Sequence, residues 1–202
     1  MTRSAISLTL IDRDEHLVRA WEAQFRGLPV TVLHGDVFEQ SADAVVAPSN
    51  SFGQMDSGLE AKLRALFGRD VEDRIRDRIR DEFFGELLVG QAIATRADHP
   101  RFTWVITAPT MRHPSEVRET INAYLAMRAV LRVARATEDI ATVLCTGMCA
   151  RTGQMPPARV ARQMRAAFDR VMYGAYGYTH WRYERDFEGF LRGARETPPA
   201  VE

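Results

Sequence analysis

Two short runs, "VTVLHGD" at residues 30–36 and "ADAVVAP" at residues 42–48, limit the folds open to this chain more than any other feature. Each is rich in β-branched residues and bounded by turn formers, and so reads as a strand of a sheet covered on both faces. Covering both faces requires a layer of helices on either side.

The remaining segments predict those layers. "SAISLTLI" alternates as a strand, and "DEHLVRAWEAQF" follows with Leu17, Trp21 and Phe25 at the four-residue spacing of a buried helical face. "SGLEAKLRALFG" predicts a short helix burying Leu59, Leu63 and Leu66, with Gly68 as its C-cap. In "DVEDRIRDRIRDEFFG", Val71, Ile75, Ile79 and Phe83 recur every four residues, and Asp70–Arg74 and Glu72–Arg76 sit at ion-pairing offsets, as in an amphipathic surface helix. Two more strands, "GQAIATR" and "TWVITAPT", precede "PSEVRETINAYLAMRAVLRVARA", where Ser115 is the expected cap of a helix burying Val117, Ile121, Tyr124 and Leu125. A last strand, "IATVLCTG", leads through "MCARTGQMP" to a helix from about Pro157 to Met172, with prolines in its first turn where a missing N–H costs little. Strands alternating with helices predict an α/β fold with a mixed or largely parallel central sheet.

At 202 residues and 46% hydrophobic content the chain suits one core. The expected organisation is one domain over 1–172 and an extension over 173–202. That extension carries Tyr173, Tyr176, Tyr178, Trp181, Tyr183, Phe187 and Phe190, so its first part is expected to dock and only "ETPPAVE" to be disordered. Lys+Arg and Asp+Glu balance at 27 each, against a nucleic-acid footprint, which calls for a clustered cationic excess. No apolar run approaches membrane-spanning length and no signal pattern opens the chain, so a cytoplasmic location with no membrane partner is expected. The five histidines show no metal spacing, and Cys145 and Cys149 are separated by three residues, not the two of redox and zinc pairs. No metal, cofactor or redox role is assigned.

Three loops lie where strand ends and helix starts converge, the place where α/β proteins hold ligands. In "HGDVF", Asp36 suits an exocyclic amine and the following amides an acidic group, although Gly-Asp also makes a plain turn. In "APSNSFGQMDSG", Asn50 suits neighbouring ribose hydroxyls, while Gly53 and Gly58 allow close backbone approach; here too a plain turn is the alternative. In "CTGMCARTGQM", Thr146, Gly147 and the amides after them can wrap a phosphate, although the spacing fits neither the dinucleotide fingerprint nor the phosphate-loop lysine motif.

Taken in order, "LHGDV", "ADAVVAPSNS" and "VLCTGM" resemble the three binding loops of the macrodomain family, ADP-ribose-binding modules, over about residues 30–172. The resemblance implies a three-layer α-β-α macrodomain-like fold and, as ligand, ADP-ribose, free or attached to a protein or other acceptor. It places Asp36 at the adenine amine, Val37 with Thr146, Gly147, Met148 and Cys149 around the diphosphate, and Asn50 with Gly53 and Gly58 at the distal ribose; Arg151 is a further candidate for a phosphate. There are departures. Ala47 replaces the family's first asparagine, the glycine run of hydrolytic members is missing, and the third loop lacks the Gly-Tyr-Pro closing pattern. Glu60 falls nearest the place of the hydrolytic branch's aspartate, with Asp56 second, so Asn50, Glu60 and Asp56 are the catalytic candidates if the chain hydrolyses an ADP-ribosyl bond. The chain's one lysine, Lys62, falls within the predicted short helix, against lysine catalysis. Two alternatives stand beside this reading: a non-catalytic interaction module that keeps the fold without a working pocket, and, more remotely, RNA or poly(A) binding. Tyr173 or Tyr176 is placed to stack on adenine only if the last helix of the domain ends near the first loop.

Overall fold

The computed structural model of the chain describes residues 6–174 and 180–199. Six strands are present among the described residues, β1 (Ser7–Asp12), β2 (Val30–His34), β3 (Ala42–Asn50), β4 (Ile93–His99), β5 (Phe102–Met111) and β6 (Thr142–Cys145). They form one sheet in the order β2-β1-β6-β3-β5-β4, with every pairing parallel except β4 with β5. The helices are α1 (Glu15–Gln24), α2 (Gly58–Phe67), α3 (Arg69–Glu82), α4 (Asn122–Ala136), α5 (Pro157–Met172) and α6 (Trp181–Arg192).

Alternate residues of each central strand feed opposite cores, which is why these strands read as unbroken apolar runs. Leu8, Leu10, Ala44, Val46, Val143 and Cys145 join α1, α4 and α5 on one face. Ile11, Val45, Ala47 and Leu144 join α2 and α3 on the other. The three-layer α-β-α architecture follows from that double burial.

Three features depart from the sequence expectation. β1 lies between β2 and β6, so the strand ending in Gly35-Asp36 and the strand ending in Thr146-Gly147 are not neighbours, and β1 belongs to the middle of the sheet. Ser115 does not cap α4, which begins at Asn122 after Ile121; the Ser115 hydroxyl donates to the His113 carbonyl instead. The cause is tertiary. The Val117 amide donates to the Gly153 carbonyl at 2.9 Å and the Asn122 side chain to the Thr110 carbonyl at 2.8 Å, pinning 112–121 across the strand ends as a loop. Third, Tyr173 follows the 16 residues of α5 and packs edge-on against Phe168. At 1.5 Å per residue that helix carries it about 24 Å from the third loop, away from the ligand end of the sheet. Tyr176 and Tyr178 lie outside the described residues.

The last helix, α6, packs on the outer layer. Phe187 meets Tyr124 of α4 at 5.9 Å between ring centroids, and Leu191 is 1% exposed. Gln163, wholly buried on α5, donates to the carbonyls of Thr120 and Leu191, tying α6 to the 112–121 loop.

Candidate functional site

Five strands run parallel and all end on the same side of the sheet, so their carboxyl ends form one rim. A cavity of about 460 Å3 opens there, within the roughly 300–1,000 Å3 typical of small-molecule sites. Its walls come from all three loops: Gly35 to Phe38 after β2, Pro48 to Asn50 with Ser57 to Glu60 around α2, and Thr146, Gly147 and Cys149 to Gly153 after β6. β2 and β3 stand three places apart in the sheet, about 14 Å at ~4.8 Å per strand. The loops after β2 and β3 thus reach the cavity from opposite sides.

The third loop offers donors. Among the described residues, no hydrogen bond is made by the amides of Met148, Cys149, Ala150, Arg151 or Thr152. Cys149 adopts φ 64°, the left-handed conformation that turns successive N–H groups toward a common centre. Its thiol is buried against the Thr110 carbonyl and raised to about 12 by burial, so it packs and does not react. Val37 opens a 3-10 turn, so its N–H has no partner within that turn.

Asp36 is held from two sides. Its carboxylate accepts the Phe38 amide at 3.1 Å and forms an ion pair with Arg13. Burial acts to raise its pKa, but those two donors outweigh burial and hold it below the usual range. It stands in the cavity as an anion.

Asp12, at the end of β1, is the main residue that sequence reasoning missed. It is 8% exposed and accepts from the Gly147 amide at 3.3 Å, the Asp14 amide at 3.0 Å and the Arg151 guanidinium at 2.9 Å. One carboxylate thus clamps the third loop to β1 and holds Arg151 at the rim. The signal was present in "LTLID", an apolar strand ending in aspartate before a helix, the same pattern as "VTVLHGD". Arg13, Ser49, Thr110, Met111, Pro114 and Lys62 also line the cavity. Lys62 is indeed on α2, yet that helix lies against the cleft.

Asn50 lines the cavity, but its side chain serves the loop. Its carbonyl oxygen accepts the amides of Phe52 at 2.9 Å and Gln54 at 3.4 Å, while its NH2 group donates to the Gln54 carbonyl at 3.0 Å. In this structure it positions residues 50–54. Three expected site residues stand outside the lining. Met148 points into the core at 0% exposure, Gly53 packs against Ile75 and Ile79, and Asp56 is exposed to solvent. The others, Asp36, Val37, Asn50, Gly58, Glu60, Thr146, Gly147, Cys149 and Arg151, all line it.

Glu60 has the most unusual environment. It lies in the first turn of α2, is 8% exposed, and its Oε1 is buried with no hydrogen-bond partner. Burial, with Asp56 and Glu72 adding negative charge, raises its pKa to about 9. Glu72 does not share the proton. The Met55 amide at 3.0 Å and Arg64 at 3.3 Å overcome its burial and lower its pKa. Near neutral pH the cavity wall therefore contains one neutral carboxylic acid beside a fixed carboxylate.

Among the described residues, no group of three or more His, Cys, Asp or Glu is placed to hold a metal, and no helix is long and apolar enough to cross a membrane.

A parallel-dominated sheet covered by helices on both faces, with a cavity at its strand ends, defines a three-layer α/β domain. The Macro domain family model matches residues 46–164, more than half of the chain, and the chain belongs to that family. An uncharacterized protein of Aeropyrum pernix is 30% identical over 181 residues, covering 89% of this chain and 91% of that protein. Among solved structures, the macrodomain of Mycobacterium tuberculosis DarG superposes with a TM-score of 0.58 at 18% identity, over 68% of this chain and 88% of that one. Thermosipho africanus DarTG in complex with ADP-ribose gives 0.57 at 16% identity, over 82% of this chain and 50% of that one. At these identities the structural matches speak for the fold alone.

Proposed function

We propose that this macrodomain binds ADP-ribose, free or attached to an acceptor, along the cleft. The observation that carries the reading is the convergence of Asp36, the unpaired amides of Met148–Thr152 and the N-terminus of α2 on one cavity. The ionised Asp36 suits the adenine amine. The loop amides, Val37 and Arg151 suit the diphosphate. The start of α2, where Ser57 makes no capping bond, presents free N–H groups to the distal ribose. The open cavity at the strand ends favours this reading over the alternative of a fold without a working pocket. The complex of the Thermosipho protein with ADP-ribose adds support by family.

The reading extends to cleavage of the ADP-ribosyl bond, because Glu60 stands in the cavity wall whereas Asp56 does not.

Calorimetric titration with ADP-ribose tests binding. The Asp36→Ala protein should lose about 1.5–3 kcal/mol, at least tenfold in affinity, through loss of a charged hydrogen bond. Undiminished affinity in the variant would remove Asp36 from the site. No heat and no thermal shift for the wild type with ADP-ribose would remove the reading itself.

A further inference from the structure

We propose that a second cavity, on the outer side of α4 and sharing no residue with the strand-end cleft, binds the phosphate backbone of a single-stranded nucleic acid.

This cavity encloses about 930 Å3 between the second half of α4, the end of α5 and the segment before β4. Arg128, Arg132 and Arg135 of α4 and Arg170 of α5 line it, and no carboxylate does. The three arginines of α4 follow one another at offsets of four and three residues, which sets them on one side of the helix. They lie about 6 and 4.5 Å apart along its axis. The even charge balance of the whole chain, which speaks against nucleic acid, breaks down here. α3 pairs its arginines with acids of its own, as in Arg78–Glu82 and Arg80–Asp77, whereas α4 contains no acidic residue. Arg135 donates to the Val171 carbonyl and Arg170 pairs with Glu184 of α6 at 2.8 Å. Among the described residues Glu184 is the only carboxylate paired with any of the four, and Arg128 and Arg132 make neither a hydrogen bond nor an ion pair. Like charges four residues apart on a helix repel, so the row costs stability until an anion is brought to it.

The second observation is independent of charge. Phe84, next in the chain to the lining Phe83, is 97% exposed and has φ 55°, a left-handed conformation that is strained for an aromatic residue. The loop that presents it is firmly tied. The Gly85 amide donates to the Ile79 carbonyl at 3.0 Å, the Leu88 amide to Gln91 Oε1 at 2.8 Å, and Arg112 to the Glu86 carboxylate at 2.7 Å. A ring held out in water next to a row of guanidinium groups suits a single strand, whose successive phosphates take the arginines while an unpaired base stacks on the ring. A duplex offers no free base face, and an acidic peptide would use the charges and leave the ring idle.

The test is fluorescence anisotropy of a labelled oligothymidylate of about 12 nucleotides, within the span of known single-strand sites. It is titrated with wild type, the double variant Arg128→Gln/Arg132→Gln, Phe84→Ala and, as a control, Arg80→Gln, which removes an arginine paired within α3. Wild type should bind, less tightly as salt rises from about 50 to about 200 mM. The double variant should lose about tenfold or more, with a log–log salt slope shallower by about 1.4, the share of two phosphates on a single strand. Phe84→Ala should lose about fivefold or more with its slope unchanged. Arg80→Gln should match wild type, and excess ADP-ribose should displace none of the oligonucleotide. Absence of binding at low salt, an equal loss in Arg80→Gln, or displacement by polyglutamate at the same charge concentration would overturn the inference and leave the reading of the strand-end cleft untouched. Displacement by ADP-ribose would overturn it by moving the oligonucleotide into that cleft.

Discussion

Replacing Glu60 by glutamine should make the protein more stable, and increasingly so as the pH rises. In the unfolded chain this carboxyl titrates near its ordinary 4.5, and in the folded protein burial and its acidic neighbours move it to about 9. Between these values the folded state holds a proton that the unfolded state has lost, so folding weakens with each pH unit. The stabilising contribution of the protonated acid is complete below about pH 4.5, declines through the window, and is gone above about pH 9. One unit corresponds to about 1.4 kcal/mol, so at pH 7 the wild type forgoes roughly 3 kcal/mol. Glutamine has the same shape and no titration, and its own burial adds only a constant offset. Thermal and urea unfolding of both proteins from pH 5 to pH 8 should show their stability difference widening by about 4 kcal/mol, roughly 8–16 °C for a domain of this size. Parallel stability curves over that range would refute the assignment of a neutral buried acid.

Two further substitutions test the surroundings. In Gly147→Ala the new methyl would lie 2.4 Å from Leu17 Cδ2 and 3.0 Å from Ala150 Cβ, so the buried Leu17 of α1 or the third loop must shift; a loss of about 1–3 kcal/mol in urea unfolding is expected, with weaker ADP-ribose binding. Unchanged stability would show that the packing of α1 against the third loop is loose. Phe187→Ala removes a ring packed on Tyr124 and Tyr183 with Arg170 4.7 Å above it, and should cost about 3 kcal/mol in the same assay. A loss near zero would mean that α6 is not part of the cooperative fold.

The fold was legible wherever local pattern and tertiary need agree. The unbroken apolar runs of β3 and β6 follow from burial on both sheet faces, and the expected bounds of α5, Pro157 and Met172, are those found because prolines set its start. Pattern failed where a distant contact decides. Ser115 has the right chemistry for a cap, but the bond from the Val117 amide to Gly153 holds its segment as a loop. In the site, the loop motifs located the cleft without revealing which atoms are free within it. Asn50 resembled a ribose ligand by type, and only the fold shows its polar atoms directed back to Phe52 and Gln54. Asp12 was missed because the place of β1 between β2 and β6 depends on strand pairing that no local window records. The burial of Glu60 likewise depends on α3, which brings Glu72 under α2.

A crystal structure with ADP-ribose bound tests the central claim most directly. The account predicts adenine beside Asp36, the diphosphate across the amides of the loop after β6 with Arg151 turned toward it, and the distal ribose at the start of α2 within reach of Glu60. Nucleotide lying elsewhere on the surface, or a cleft empty at saturating ligand, would contradict it.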